Sequence, residues 1–516
     1  MSTLYRAATI VFAFNLLSKV LGFIRDAALA AFFGAGSATD AYMIAYTLPY
    51  SLQAVLGMAF LTVMVPFLTG HLIQGKREEA FRVTSVVMNW IGLALLGMVV
   101  LGMAFAGPLT GLLAPGFDGA TQTEAVRLMV IMMPSIFFMG MGMLFSGILN
   151  AQKYFWLAAF GPALVNLVVI LAIVVLNHVL GIYGAALGTL LGFAGFFILL
   201  GLGIRQKGFR YHWGLADPDG LARQVTAGIL PVAVSVSVNQ VLLAVSRFFA
   251  SGLAPGSISA LDYAYRVKDL PLGIFAAAVV TATFPLMSEG AVRNELRQFA
   301  TTFSKGYNAI MVLIIPVSLG MAALREPLIR VLYQRGAFDD TAAAMTYGAL
   351  LFFSLALPAF SANMMMTRAY YAFRDYRTPL LAGLGAVAIN MAASWILVGP
   401  YGHQGLAAAN GLASYGYAVL LFAGLKRRLP ELAVGRLLNR TVKALAAASV
   451  MTFVVLSVRG FAENFLSPGV PGDLLVLGLC TLGGAGVYFA LLRVLQYDDL
   501  DEAIALMKRR GTGRTK

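Results

Sequence analysis

The chain has 516 residues, 59% of them hydrophobic and 12% charged, and its mean hydropathy is +0.81. Soluble domains run about 45–50% apolar and about 25% charged, so a water-soluble reading of any large part is excluded and the chain reads as a polytopic membrane protein. The formal charge of +14 would point to nucleic acid in a soluble protein, but here it is first a question of orientation. One cysteine, Cys480, excludes a disulfide framework or a thiolate cluster, and the four histidines lie far apart, so no metal site is expected.

Fourteen apolar stretches follow in chain order: 7–33, 40–69, 83–107, 125–150, 155–178, 182–204, 225–252, 258–287, 303–324, 342–372, 379–398, 404–425, 441–459 and 473–495. Their lengths fit helices of about 20 residues, not the roughly ten-residue alternating strands of a membrane barrel. The expected fold is therefore all-α with about 14 transmembrane helices.

Basic residues set the orientation. The N-terminus, the even-numbered connectors and the tail carry 25 of the 37 Lys and Arg, including Arg6, Lys76, Arg77, Arg82, Lys153, Arg205, the run from Lys426 to Lys443, and the end of the tail. The opposite side carries Arg127, Arg325, Arg330, Arg335 and Arg459. Both termini are expected in the cytoplasm, and the +14 becomes orientation bias plus attraction to anionic lipid headgroups, which makes a nucleic-acid partner unnecessary.

An internal repeat runs through the chain. Asp40 to Pro49 (DAYMIAYTLP) lies over Asp262 to Pro271 (DYAYRVKDLP), and Phe117-Asp118, Ala151, Asn166 and Gly184 match Phe338-Asp339, Ala372, Asn390 and Gly405, at offsets of 221 to 224. The first six segments thus recur as segments 7 to 12. Six is even, so the copies share one orientation: parallel repeats, as in one class of secondary transporter. The expected organisation is a first lobe at 1–205, a second at 222–425, a basic linker at 426–440, a helix pair at 441–495, and a cytoplasmic tail at 497–516 with an interfacial helix around Leu500, Ala503, Ile504 and Met507.

Charge inside the apolar segments separates a transporter from a scaffold. Lys19, Arg25, Arg247, Arg266, Lys268, Arg368 and Arg493 fall there, each costing roughly 2.5–3.5 kcal/mol if central and facing lipid. Arg368 and Arg493 lie near helix ends and are read as reaching the headgroups. In segment 1, Asn15, Lys19, Gly22 and Asp26 share a face, with Arg25 about 120° from Lys19 unless the helix bends at Gly22. In segment 8, Asp262, Arg266 and Asp269 share a face just before Pro271, while Arg247 has no acidic residue in its own segment. Asp26, Asp262 and Asp269 are read as supporting ion pairs. Arg and Lys on the first helices of both lobes suit an anionic substrate, with Arg offering a fork matched to phosphate. The absence of Asp and Glu from segments 7 and 11 weighs against a cation-coupled small-molecule antiporter. A glycosyltransferase or lipid phosphatase would need a carboxylate cluster or a His-Arg motif, and the connectors 205–224 and 426–440 offer neither; Asp217 and Asp219 beside Pro218 read as a turn.

The stretches Ser18 to Asp26, Phe33 to Tyr42 and Leu48-Pro49 resemble the start of the MurJ (MviN) family, the lipid II flippases of bacterial peptidoglycan synthesis. The resemblance continues through Ala114 to Phe117, Tyr263 to Arg266, Leu332 to Phe338 and Tyr371 to Pro379, covering nearly the whole chain. It implies the fold of the multidrug/oligosaccharidyl-lipid/polysaccharide exporter superfamily, a final helix pair that grooves the lipid tail, and a cationic cavity for the diphosphate-linked headgroup of an undecaprenyl precursor. It implies a substrate-binding set of Lys19, Arg25, Asp40 and Arg266. Gln53 stands where the family commonly has a third cation and Met58 where it has a glutamate, so Arg247 or Lys268 is expected to compensate. The alternative substrate is another polyprenyl-diphosphate oligosaccharide, such as an O-antigen or capsule unit. The location implied is the bacterial inner membrane. A monomer is expected, with no cofactor, and the coupling ion or potential is left open.

Overall fold

The structure is a computed structural model that describes residues 2–463, 465 and 469–497, with side chains of these except 2–8, 230, 231, 234–236, 238, 239 and 242. The expected tail helix lies outside the described residues, which contain helices and no strand. Apolar runs this long can cross a bilayer as helices because each helix satisfies its own backbone.

The first repeat comprises α1 (Ser2–Phe33), α2 (Ser37–Ile73), α3 (Arg77–Ala104), α4 (Ala106–Leu113), α5 (Gly119–Met132), α6 (Ser135–Ala151), α7 (Phe155–Leu180) and α8 (Ile182–Gln206). The second comprises α9 (Leu221–Ala250), α10 (Ser257–Pro271), a π-helical turn (Leu272–Ala276), α11 (Ala277–Val292), α12 (Leu296–Ala323), α13 (Arg325–Tyr333), α14 (Asp340–Leu355), α15 (Leu357–Ala372) and α16 (Arg377–Arg428). α17 (Val434–Glu463) and α18 (Val470–Val494) stand outside the repeat.

The backbone repeats as the sequence does. Left-handed residues recur in register at Gly34 and Gly256, Gly75 and Asn294, Lys153 and Arg374, and Gly181 and Gly402. Gly181 (φ 53°, ψ −136°) ends α7, and Gly402 (φ 54°, ψ −134°) kinks the 52-residue α16 at the corresponding point, so α16 is two helices in one run. The short helices α4 and α13, which the hydropathy pattern had merged into connectors, also correspond. One feature is not shared: the second copy inserts a π-turn after Pro271, whereas α2 continues through Pro49. Such a turn shifts the register of every side chain beyond it.

Ten helices among the described residues are long and apolar enough to cross a membrane, or eleven if α14 and α15, bent by 48°, form one span. The expected basic linker is shorter than 426–440, because α16 runs to Arg428 and α17 begins at Val434.

By packing, the chain forms two compact units: residues up to Ser259 with Arg335–Ala342, and Ala260–Gln334 with the residues from Ala343 on. This division differs from the repeat boundary, since α9 packs on α2, α3 and α4 of the first unit. Within the first unit the core lies among α2, α6, α7 and α8. Phe196 of α8 wedges onto Gly142 and Gly161, where an added methyl would come within 2.5 Å of its ring. Small residues of this kind let membrane helices approach closely. The connector after α8 is a strap laid along α3: Asn89 donates to the Gly214 carbonyl (2.8 Å), Trp90 to that of Leu215 (3.1 Å), and Arg82 pairs with Asp219. Asp217 accepts from the amides of Ala222 and Arg223, capping α9, so the Asp-Pro-Asp segment is the turn expected of it. In the second unit, α11, α12, α15 and α16 surround Phe299, Phe303, Ile310, Ile314, Met365 and Tyr370, and α17 and α18 pack on α12, where Tyr488 donates to the Val312 carbonyl (2.8 Å).

Candidate functional site

In the first unit, the Arg25 guanidinium donates twice to Asp26 Oδ1 (2.7 and 3.0 Å) and once to Asn166 Oδ1 (3.1 Å) on α7. Asn166 in turn donates to the Ser18 carbonyl (3.0 Å). A methyl at Gly22 would stand 3.3 Å from the Asn166 amide nitrogen, so the small residue admits this cross-brace. α1 runs unbroken through Gly22. Lys19 does not join Arg25: its side chain is exposed and, among the described residues, meets no hydrogen-bond or ion-pair partner. Gln53 is half-buried on α2 and Met58 is exposed.

Asp40 and Arg247 are both turned to backbone work in this arrangement. Asp40 accepts from the Gly256 amide, the Ser259 amide and the Ser259 hydroxyl, each at 2.7 Å, and so caps the N-terminus of α10. A carboxylate there also meets the positive end of the helix dipole. Arg247, 5% exposed, donates to the Met43 carbonyl (2.9 Å) and to the Thr47 hydroxyl, fastening α9 to α2. Arg247 occupies the same repeat position as Arg25, 222 residues on.

In the second unit, Arg266 Nε donates to Asp262 Oδ2 (3.0 Å) one turn away, and both side chains are partly exposed. The triad expected around Arg266 is divided. Asp269 pairs instead with Lys268 (2.9 Å), whose side chain is 1% exposed and whose ammonium lies over the rings of Tyr265 (3.5 Å) and Phe360 (4.0 Å). Two π-faces and a carboxylate compensate the loss of water around this cation. Among the described residues, no group of three or more His, Cys, Asp and Glu is placed to hold a metal.

The structure thus groups Arg25 with Asp26, Arg266 with Asp262, and Lys268 with Asp269. It leaves Lys19 and Gln53 by themselves and puts Asp40 and Arg247 on helix ends and backbone. Sequence reasoning missed Asn166, Tyr265 and Phe360. For Asn166 a signal existed, its match to Asn390 in the repeat; Tyr265 and Phe360 are ordinary aromatic positions in an apolar sequence.

The lipid II flippase MurJ family profile matches residues 29–479. The chain belongs to this family. A probable lipid II flippase MurJ from Vibrio cholerae is 30% identical over 516 residues, covering 95% of this chain and 96% of its own length. The lipid II flippase MurJ of Burkholderia cenocepacia is 28% identical, covering 96% and 98%. Among solved structures, a lipid II flippase MurJ in an inward closed conformation superposes with a TM-score of 0.81 at 25% identity, covering 95% of this chain and all of that one. An inward-facing multidrug resistance MATE family transporter of the MOP superfamily matches at 0.67 with 14% identity, a likeness of fold alone.

Proposed function

We propose that the chain translocates lipid II, the undecaprenyl-diphosphate-linked peptidoglycan precursor, across the bacterial inner membrane by alternating access, with both termini in the cytoplasm and fourteen crossings. That count takes α16 as two spans and α14 with α15 as one, and it includes α1 and α9. The observation that carries the reading is the pair of partly exposed arginines, Arg25 and Arg266, one on each unit. Each is oriented by a neighbouring aspartate within an apolar helix. A guanidinium held in this way presents an edge to a phosphate, and a diphosphate offers the matching negative charge. Parallel repeats support a rocking mechanism. Translocation makes and breaks no covalent bond, so no catalytic group or cofactor is required, and the protein acts as a monomer.

The test is depletion of the protein, followed by identification of the undecaprenyl-linked intermediate that accumulates. Accumulation of lipid II with external depletion of its disaccharide is the expected result. Accumulation of a different oligosaccharide-diphosphate lipid would mean that the change at Gln53 marks a different substrate.

A further inference from the structure

Arg368 of α15 differs from Arg266 and Lys268 in the same unit. Arg266 and Lys268 each have a carboxylate, whereas no carboxylate or hydrogen-bond acceptor among the described residues engages Arg368. Its side chain is exposed, and its guanidinium lies over the rings of Phe284 (5.5 Å) on α11 and Tyr371 (6.0 Å) on its own helix.

Two observations argue against a headgroup anchor. Phe284 lies eight residues before the end of α11 at Val292, a rise of about 12 Å, so the guanidinium meets α11 well inside that helix and not at its end. The repeat supplies the second. The matching residue of α6 is Gly147, buried against Met64 and the Phe60 carbonyl, so this scaffold has no need of a charge at that position. Phe360, which covers Lys268, sits two turns from Arg368 on the same face of α15. One face of α15 therefore covers the buried Lys268 of α10 at one level and carries an exposed arginine about 12 Å along the helix.

We propose that Arg368 is a phosphate contact for the lipid-linked substrate on the second unit, held on the faces of Phe284 and Tyr371 so that the edge of its fork is offered to the ligand. Stacking satisfies the face of a guanidinium and leaves its in-plane N–H groups directed outward. This rests on the flippase reading above and adds to it a residue whose cation is committed to no protein carboxylate.

The probe is geranylgeranyl diphosphate, with geranylgeraniol as the uncharged control, binding to the purified full chain in detergent. Arg368→Ala is expected to weaken diphosphate binding at least tenfold and to leave geranylgeraniol binding unchanged, with Arg368→Lys falling between. Phe284→Leu, which keeps the charge and removes the platform, is expected to weaken diphosphate binding severalfold. If Arg368→Ala fails to fold, Arg368→Gln and Phe284→Leu carry the same test, with thermal unfolding as the check. Diphosphate affinity within twofold of wild type in folded Arg368 variants, or equal loss for diphosphate and alcohol, overturns the assignment. Wild-type protein that binds the alcohol and not the diphosphate overturns the flippase reading and this inference with it.

Discussion

At the scale of single residues, the cations that the sequence singles out have different occupations, and their variants should separate accordingly. Arg25→Ala and Arg266→Ala should fail to complement a depleted strain at normal membrane abundance. Arg→Lys at either site should retain part of the activity, because the charge remains and the bidentate fork does not. Lysate immunoblots beside the complementation assay distinguish lost transport from lost protein. If Arg266→Ala instead abolishes accumulation, and neutralising Asp262 restores it, Arg266 is a structural ion pair. Asp40 should behave as a cap. Asp40→Ala removes three accepted hydrogen bonds from the start of α10 and should cost about 1–2 kcal/mol in thermal unfolding, while Asp40→Asn, still able to accept, should cost less.

At the scale of elements, the two repeats differ most in what their short helices carry. Residues 106–111 of α4 read Ala-Gly-Pro-Leu-Thr-Gly, and residues 325–330 of α13 read Arg-Glu-Pro-Leu-Ile-Arg. The second copy has charge where the first has small residues, and that charge meets α17 and α18. Arg459 of α17 donates to Glu326 Oε2 (2.6 Å), to Glu463 Oε1 (2.7 Å) and to the Ala323 carbonyl ending α12 (3.0 Å). Arg330 joins Glu326 to Asp473 of α18. Arg459→Ala should loosen this junction by about 2–3 kcal/mol, read as faster proteolysis of the α17 to α18 loop. The exchange Glu326→Arg with Arg459→Glu should recover part of the loss.

The same junction should respond to pH. Burial alone raises the Glu326 carboxyl, but the hydrogen bond from Arg459 and the charges of Arg330, Arg459 and Arg325 outweigh it and hold the group below its ordinary value of 4.5. A carboxylate depressed on folding stabilises the fold above its unfolded pKa, and that contribution disappears as pH falls through this value toward the folded one. Glu463 and Asp473 face the same cluster, so Glu326→Gln is the reference: the loss of thermal stability between pH 7 and pH 4 should be smaller in that variant than in wild type.

At the scale of the whole molecule, residues from both repeats meet inside the first unit. The Ala337 amide donates to the Ala31 carbonyl (2.8 Å), and added methyls at Gly34, Gly256 and Gly336 would lie within 2.4 Å of the carbonyl oxygens of Ala337, Ala35 and Ala31. All three glycines have φ between 62° and 90°, so both conformation and contact require glycine there. If transport alternates, this backbone clasp must open. A disulfide between cysteines placed at Ala31 and Ala337 should stop flipping, and reduction should restore it. Full flipping in a verified cross-linked protein would refute alternating access at this clasp.

The sequence by itself determined the all-helical membrane fold and the repeat, because hydropathy, segment length and a fixed offset are properties of the chain read locally. Which partner each charge takes was decided only in three dimensions. Asp269 shares a helical face with Arg266, yet it pairs with Lys268, whose ammonium the aromatic rings of Tyr265 and Phe360 hold in place. Asn166 reads as one polar residue in an apolar run until α7 packs on α1 and brings it to Arg25. α9 belongs to the second copy by sequence and to the first unit by packing, since Arg247 donates into α2. Periodicity places a side chain on a face. The neighbouring helix, set by close packing of small residues and by the directional demands of buried donors, decides what that face meets.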